Sequence, residues 1–332
     1  MMCLKALFRR FGRTATVAVV GGTAILAALP AVSSTAAAAP LADQQEIVMW
    51  PKGPPGSAQF PAPQQVLERS KDPAVRDRAV LAITTPSLLV YKPAHPNGTA
   101  LLVTPGGAYQ RVVIDKEADE IASRFTDAGV TMFRLVYRLP GKAQATDAPL
   151  MDAQRALRLI RANAAEWGLD PARIGVLGFS AGGHLASQLA TGFERKVYEP
   201  VDAADAVSAR PDFLALGYPV VTMDERFTHA VSRQELIGDS PSPETVAAYS
   251  TELRVTPATP QAFLFHANDD PDVPVTNSLL FHDALRRAGV PAEMHIFRQG
   301  GHGFSLRFAV GLPAAQWPDL LLAWMKSIRM LP

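Results

Sequence analysis

The feature that most constrains the fold of this 332-residue sequence is a regular alternation of short apolar runs with longer amphipathic segments, which begins near Val80. Continuous apolar runs, such as the one in residues 99–107, are typical of parallel strands covered on both faces. Between the runs, apolar residues recur at spacings of three and four, as in residues 148–168, and this predicts helices. The alternation predicts an α/β fold with a mostly parallel, doubly wound sheet flanked by helices on both faces.

The first 39 residues have a different composition and predict a targeting segment. Basic residues precede an apolar stretch that ends in small residues; they are Lys5, Arg9, Arg10 and Arg13. This order is typical of a signal peptide, with cleavage expected near residues 37–39 and export to the periplasm or the outside. The arginine pair leaves the twin-arginine route open. An uncleaved membrane anchor is the alternative, and the glycines and proline of this short stretch disfavour it.

The remaining chain divides into two parts. Residues 40–79 are rich in proline and glycine and show no apolar period, which predicts an irregular arm. Residues 80–332 carry the alternation and form the expected catalytic domain. Without the signal peptide the net charge is −3 and no cysteine remains. We therefore expect no nucleic-acid partner, no stable membrane association and no cysteine-based chemistry; the oligomeric state is open.

The stretch "VLGFSAGGHLAS", residues 176–187, contains the pattern G-x-S-x-G centred on Ser180. Glycine and serine also occur in ordinary turns, but here the pattern lies between a predicted strand and a predicted helix. That context favours a nucleophile elbow, in which the serine stands on a tight strand-to-helix turn. A phosphate-binding loop is the rival interpretation, and neither of its fingerprints is present.

A serine nucleophile requires a base and an acid that orients the base, and after an elbow of this kind the acid is expected first along the chain and the histidine base after it. His302 lies among glycines after the last predicted strand, in a loop that permits close approach. Three acids follow the preceding strand: Asp269, Asp270 and Asp272. The residues alone do not choose among these acids, and their cluster lacks the glycine and distant glutamate of a calcium loop.

Several segments together resemble a known family. "TPGGAYQ", "GFSAGGHLAS", "HANDDPDVPVTNSLLFHDALRRAGVPAEMHIF" and "GGHGF" are similar to secreted α/β-hydrolase serine esterases related to acetyl xylan esterases and feruloyl esterases. The likeness spans roughly residues 47–325 and implies the α/β-hydrolase fold. It implies Ser180 as nucleophile and His302 as base. The family spacing H-x-x-x-D-x-x-V-P, read from His266, selects Asp270 as the acid.

Acyl transfer also requires hydrogen-bond donors at the developing oxyanion. The N–H of Ala181, directly after the serine, is one expected donor. Gly107 and Ala108, in the loop after an early strand, are the others. Similar enzymes have a third glycine where this chain has Ala108, and alanine adopts a positive φ less readily than glycine.

The resemblance implies a serine carboxylesterase whose substrates are acyl-substituted plant polysaccharides or oligosaccharides. Because no apolar lid is present to bury a long acyl chain, we expect short, acetyl-type acyl groups. We expect no cofactor and no metal. The alternatives are a peptidase or lipase on the same fold and a noncatalytic carbohydrate-binding homologue. Residues 191–260 show no long apolar lid of the kind a lipase needs. "FTHAVS" in that region also matches the family, and it suggests that His229 borders the substrate pocket.

Overall fold

The structure is a computed structural model that describes residues 45–56, 63–141 and 146–332. Its strands are β1 (Gln45–Val48), β2 (Gln65–Glu68), β3 (Arg78–Leu81), β4 (Ser87–Tyr91), β5 (Ala100–Thr104), β6 (Val112–Val113), β7 (Thr131–Val136), β8 (Ile174–Phe179), β9 (Leu214–Gly217), β10 (Ala262–Ala267) and β11 (Ala292–Phe297). Its α-helices are α1 (Ala122–Thr126), α2 (Ala148–Ala162), α3 (Ser180–Thr191), α4 (Ala230–Ile237), α5 (Pro243–Tyr249), α6 (Thr276–Arg287) and α7 (Trp317–Ser327).

Eight strands form the main sheet, in the order β1-β4-β7-β5-β8-β9-β10-β11. From β7 to β11 every neighbouring pair is parallel, and β4 runs antiparallel to both of its neighbours. This arrangement confirms the predicted α/β-hydrolase fold with a mostly parallel sheet. Because the strands are parallel, the loops after β5, β8, β10 and β11 all emerge at the same edge of the sheet.

The hydrophobic core lies on both faces of this sheet. One cluster contains Leu157 of α2, Leu189 of α3 and Phe281 of α6. The other contains Phe125 of α1 and Trp317 of α7. Successive residues of β5 alternate between the two clusters, which explains why that strand is apolar throughout.

Two predicted helices differ from the observed ones. Residues 115–129 have acids at their start and Gly129 at their end, and so predict one helix. In the structure this helix is interrupted: a π-helical turn, Asp115–Asp119, precedes the short helix α1. The helix expected over residues 148–168 is α2, which ends at Ala162, and turns continue to Gly168. Short helices α4 and α5 in the 191–260 region carried no clear apolar period and were not predicted.

The prediction of an irregular arm over residues 40–79 is wrong at three places. β1 pairs antiparallel with β4 at the edge of the main sheet, and β2 pairs with β3, which begins at Arg78. Most side chains of β1 and β2 face solvent, so backbone pairing is the main contact of these strands and no apolar alternation marks them. Trp50 then anchors the segment, because its indole N–H donates to the buried Asp152 at 2.8 Å.

The expected signal peptide, residues 1–39, lies outside the described residues. Within the ranges that the structure does describe, no helix combines the length and the apolar character needed to cross a bilayer. The same ranges contain no group of three or more histidine, cysteine, aspartate or glutamate side chains arranged to hold a metal ion.

Candidate active site

Ser180 stands at the junction of β8 and α3 with a strained backbone. Its φ is 52°, in the left-handed region that non-glycine residues rarely adopt. Two glycines make this turn possible: a Cβ on Gly178 would lie 2.4 Å from the carbonyl oxygen of Gly182, and one on Gly182 would lie 2.0 Å from that of Thr104. The strand-to-helix turn predicted for the nucleophile elbow is therefore present.

His302 reaches Ser180 from the loop after β11. The Oγ of Ser180 and the Nε2 of His302 are 2.8 Å apart, and the Nδ1 of His302 lies 2.8 Å from an oxygen of Asp270. Because an ionised carboxylate only accepts hydrogen bonds, Nδ1 carries the proton and Nε2 presents its lone pair to the serine hydroxyl. The structure thus joins the three predicted residues in one hydrogen-bonded chain.

Asp270 is the acid in this chain, although three candidates lay close together in sequence. Its side chain is fully buried, and its other oxygen accepts the N–H groups of Asp272 and Val273 at 2.9 and 2.8 Å. Burial disfavours the carboxylate, but hydrogen bonds from His266 and His302, the positive charge of His302 when that ring is protonated, and the N–H of Val273 outweigh it. They hold the pKa of Asp270 well below its usual range, so it stays ionised.

The rival acids have other surroundings. Asp269 accepts the N–H groups of Gly300 and Gly301, both at 2.9 Å, and so fixes the start of the loop that carries His302. Asp272 is exposed and contributes its backbone N–H to Asp270. Neither carboxylate bonds to His302.

The loop after β5 lies directly against the elbow, as predicted for an oxyanion hole. A Cβ on Gly106 would lie 2.8 Å from the Cβ of Ser180, and one on Gly107, whose φ is 138°, would lie 2.2 Å from the carbonyl oxygen of Arg111. Ala108 adopts a φ of 59° despite its methyl group, so the third glycine of similar enzymes is not required for this backbone. In the described ranges, no acceptor bonds to the N–H of Gly107, Ala108 or Ala181.

The chain matches a known protein family. Residues 88–285, more than half of the sequence, match the model of the BD-FAE family. The chain belongs to the BD-FAE family.

Relatives of this BD-FAE chain carry related names. The acetylxylan esterase of Xylanibacter ruminicola is 34% identical over 249 residues, which are 73% of this chain and 48% of that protein. Endo-1,4-beta-xylanase B of Butyrivibrio fibrisolvens is 36% identical over 208 residues, 62% of this chain and 32% of that protein. The chain thus spans half or less of the length of these two relatives.

A solved structure covers the BD-FAE chain more completely. The acetyl ester-xyloside bifunctional hydrolase from Caldicellulosiruptor lactoaceticus is 36% identical, and the match has a TM-score of 0.69. It covers 85% of this chain and 100% of that one.

The side chains of two buried residues near Ser180, Glu117 and His184, were not predicted to have a functional role. Glu117, in the π-helical turn, accepts the N–H of Gly106 at 2.7 Å. His184 of α3 is fully buried; its Nε2 donates to the carbonyl oxygen of Tyr249 and its Nδ1 accepts from the hydroxyl of Tyr109, both at 2.8 Å. An acid at the start of a helix and a histidine within a helix are both common, so the sequence did not indicate that Glu117 and His184 lie beside the site.

His229, which the sequence suggested at the pocket, lies beside the base. Its ring is nearly parallel to that of His302, with centroids 6.4 Å apart and 20° between the planes. Its Nδ1 is 2.8 Å from the hydroxyl of Ser232. Burial first, and then the charge of His302 when that ring is protonated, lower the pKa of His229 and favour its neutral form.

Proposed function

We propose that the protein is a serine carboxylesterase in which Ser180 is the nucleophile, His302 the general base and Asp270 the residue that orients the base. The observation that carries this proposal is the continuous chain of 2.8 Å contacts from Ser180 through His302 to Asp270. A noncatalytic homologue has no need of such a chain, nor of a nucleophile held at a φ of 52°.

The first half of the proposed reaction forms an acyl-enzyme. The Nε2 of His302 takes the hydroxyl proton of Ser180 while the oxygen attacks the ester carbonyl carbon. The tetrahedral intermediate then collapses, and the imidazolium returns the proton to the departing alcohol oxygen. Asp270, ionised and bonded to Nδ1, stabilises the imidazolium that exists between these two steps.

The second half hydrolyses the acyl-enzyme. His302 removes a proton from water, the hydroxide attacks the acyl carbon, and the acid leaves as Ser180 regains its proton. In both halves the negative oxygen is expected to accept the N–H groups of Gly107, Ala108 and Ala181. Each step uses only side chains, backbone groups and water, so the mechanism needs no cofactor or metal.

For the substrate we propose short acyl esters, acetyl above all, on plant polysaccharides or oligosaccharides. The names of the relatives, an acetylxylan esterase and an acetyl ester-xyloside hydrolase, support this class. The 191–260 region supports the short acyl group, because its sequence contains no long apolar segment that could form a lid. Such a lid would be expected to cover a long acyl chain, on which each buried methylene is worth about 0.8 kcal/mol.

A panel of nitrophenyl esters of rising chain length, assayed beside acetylated xylo-oligosaccharides, tests this proposal. We expect a higher kcat/KM for the acetate than for the octanoate, together with release of acetate from the oligosaccharides. A maximum at eight carbons or more, with no acetate released, indicates a lipase-like enzyme. Cleavage of peptides in preference to esters indicates a peptidase.

We also propose that the enzyme acts in the periplasm or outside the cell, as the composition of residues 1–39 suggests. Amino-terminal sequencing of protein from the periplasm and the medium tests this. A mature chain that begins near residues 38–40 supports export; a full-length chain found only in the cytoplasm contradicts it.

A further inference from the structure

Glu117 connects the oxyanion loop to the rest of the active site. One carboxylate oxygen accepts the N–H of Gly106 at 2.7 Å, and the other accepts the hydroxyl of Tyr218 at 3.0 Å. The ring of Tyr218 packs edge-on against that of His302, with centroids 5.3 Å apart. The side chain of Glu117 therefore contacts both the loop after β5, which carries the expected oxyanion donors, and Tyr218, whose ring packs against His302.

The environment of Glu117 differs from that of the other acids in its turn. It is 3% exposed and has no arginine partner among the described residues; the nearest cation is the Nζ of Lys116 at 3.9 Å. Asp115, also 3% exposed, is instead bound by Arg78. A buried carboxylate is costly unless hydrogen bonds compensate it, and those of Glu117 come from Gly106 and Tyr218.

The oxyanion loop needs such an anchor because its backbone is strained. Gly107, Ala108 and Tyr109 have φ values of 138°, 59° and 61°, and such a run persists only where its surroundings hold it. Gly106, immediately before this run, is confined: a Cβ on it would lie 2.8 Å from the Cβ of Ser180 and 3.0 Å from the carboxylate of Glu117. The loop thus passes between the nucleophile and Glu117.

The hydrogen bond also selects which N–H groups face the substrate. Since the N–H of Gly106 donates to Glu117, it is not free to donate to an oxyanion, whereas those of Gly107 and Ala108 are. We propose that Glu117 is a positioning residue that sets the oxyanion donors at their distance from Ser180 through its bond to Gly106. This inference rests on the proposed function, because it concerns the transition state of the same reaction.

The experiment compares Glu117→Ala and Glu117→Gln with a matched control, Asp115→Ala, which removes an equally buried acid of the same turn that does not contact the loop. Misplaced oxyanion donors affect the transition state more than substrate binding. We expect Glu117→Ala to lower kcat for nitrophenyl acetate about 100-fold, with KM changed less than about threefold. Glu117→Gln keeps an oxygen for the N–H of Gly106 and should stay within about fivefold of wild type.

A boronic acid inhibitor supplies a second readout, because its adduct with the serine places an oxygen in the oxyanion hole. Its affinity should fall in Glu117→Ala by about the same factor as kcat/KM, and should change little in Asp115→Ala. If Glu117→Ala does not fold, Glu117→Asp, which keeps the charge but withdraws the acceptor by one methylene, should show the same kind of loss in kcat.

Three results overturn the inference. The first is a kcat near that of wild type in folded Glu117→Ala or Glu117→Asp. The second is an equal loss in Glu117→Gln and Glu117→Ala, which assigns the effect to the charge of the carboxylate. The third is an equal loss in Asp115→Ala, which assigns it to general damage to the turn. A wild-type protein that hydrolyses no ester contradicts the proposed function itself.

Discussion

The buried side chain of His184 is expected to make the free energy of unfolding depend on pH. A single substitution, His184→Gln, can separate its contribution from those of other groups. Burial lowers the pKa of His184 to about 4, although its bond to the carbonyl oxygen of Tyr249 acts in the opposite direction. The ordinary value, which applies in the unfolded chain, is 6.5. Between these two values the unfolded chain binds a proton that the folded protein excludes, so acid favours unfolding.

The sign and size follow from this difference. The stability associated with the neutral, buried His184 is fully present above the unfolded pKa, and it is lost as the pH falls toward the folded value of about 4. One pKa unit corresponds to about 1.4 kcal/mol, so lowering the pH from about 7 to 4.5 should remove about 2.5 kcal/mol of unfolding free energy through this residue alone. Its contribution levels off only well below pH 4, where the folded protein is protonated as well.

The assay is equilibrium urea unfolding at a series of pH values, for wild type and for His184→Gln, which cannot titrate in this range. Other groups also weaken the fold in acid, so the informative quantity is the difference between the two pH slopes. Ser187→Ala is the control, because its hydroxyl bonds to the carbonyl oxygen of His184 and it lies in the same buried helix, but it has no titratable group. We expect Ser187→Ala to lose stability at every pH while keeping the wild-type slope.

The outcome that refutes this reasoning is a His184→Gln protein whose unfolding free energy falls between pH 7 and 4.5 as steeply as that of wild type. In that case His184 is not held neutral by burial, and its hydrogen bonds to Tyr109 and Tyr249 accommodate the charged ring.

Three further predictions concern the active site. Ser180→Ala or His302→Ala should lower kcat by roughly 10⁴ while circular dichroism shows an intact fold, and an organophosphorus fluoride should label only Ser180; activity in Ser180→Ala, or labelling elsewhere, contradicts the mechanism. Asp270→Asn should reduce kcat far more than Asp272→Asn, because only Asp270 bonds to His302, and a larger loss in Asp272→Asn excludes Asp270 as the orienting acid. Gly107→Ala should lower activity and thermal stability together, since its Cβ would lie 2.2 Å from a backbone oxygen, and a fully active variant shows that the loop is not needed in this conformation.

The hydrogen-bonded chain of Ser180, His302 and Asp270 could be predicted from the sequence because each of its members carries a local signal. Ser180 lies in a short motif between a strand and a helix, His302 lies among glycines after the last strand, and the family spacing selected Asp270 from three neighbouring acids. The sequence also predicted that Ala108 lies in the loop beside the elbow. It did not predict the positive φ of Ala108, which the structure shows.

What the sequence could not show depends on contacts between distant segments. Glu117 bonds to Tyr218, 101 positions away, and nothing near either residue indicates the other. The strands β1 and β2 are held by backbone pairing, which leaves no mark in the pattern of apolar side chains. The π-helical turn, Asp115–Asp119, has the composition of an ordinary helix start, so the sequence does not distinguish it from an α-helix.

The strained backbone at the elbow and in the loop after β5 lowers the stability of the fold at the residues that the proposed reaction requires. Among the described residues, the non-glycine positions with positive φ include a group around the active centre: Ala108, Tyr109, Ser180, Tyr218 and Ser305. Each such conformation costs about 1 kcal/mol or more, and glycine would relieve it. Selection for thermal stability alone would therefore tend to replace these side chains, including that of Ser180, the proposed nucleophile. Engineering of a more thermostable variant should leave these five residues unchanged. Stabilising substitutions should instead be placed away from the edge of the sheet where the loops after β5, β8, β10 and β11 emerge.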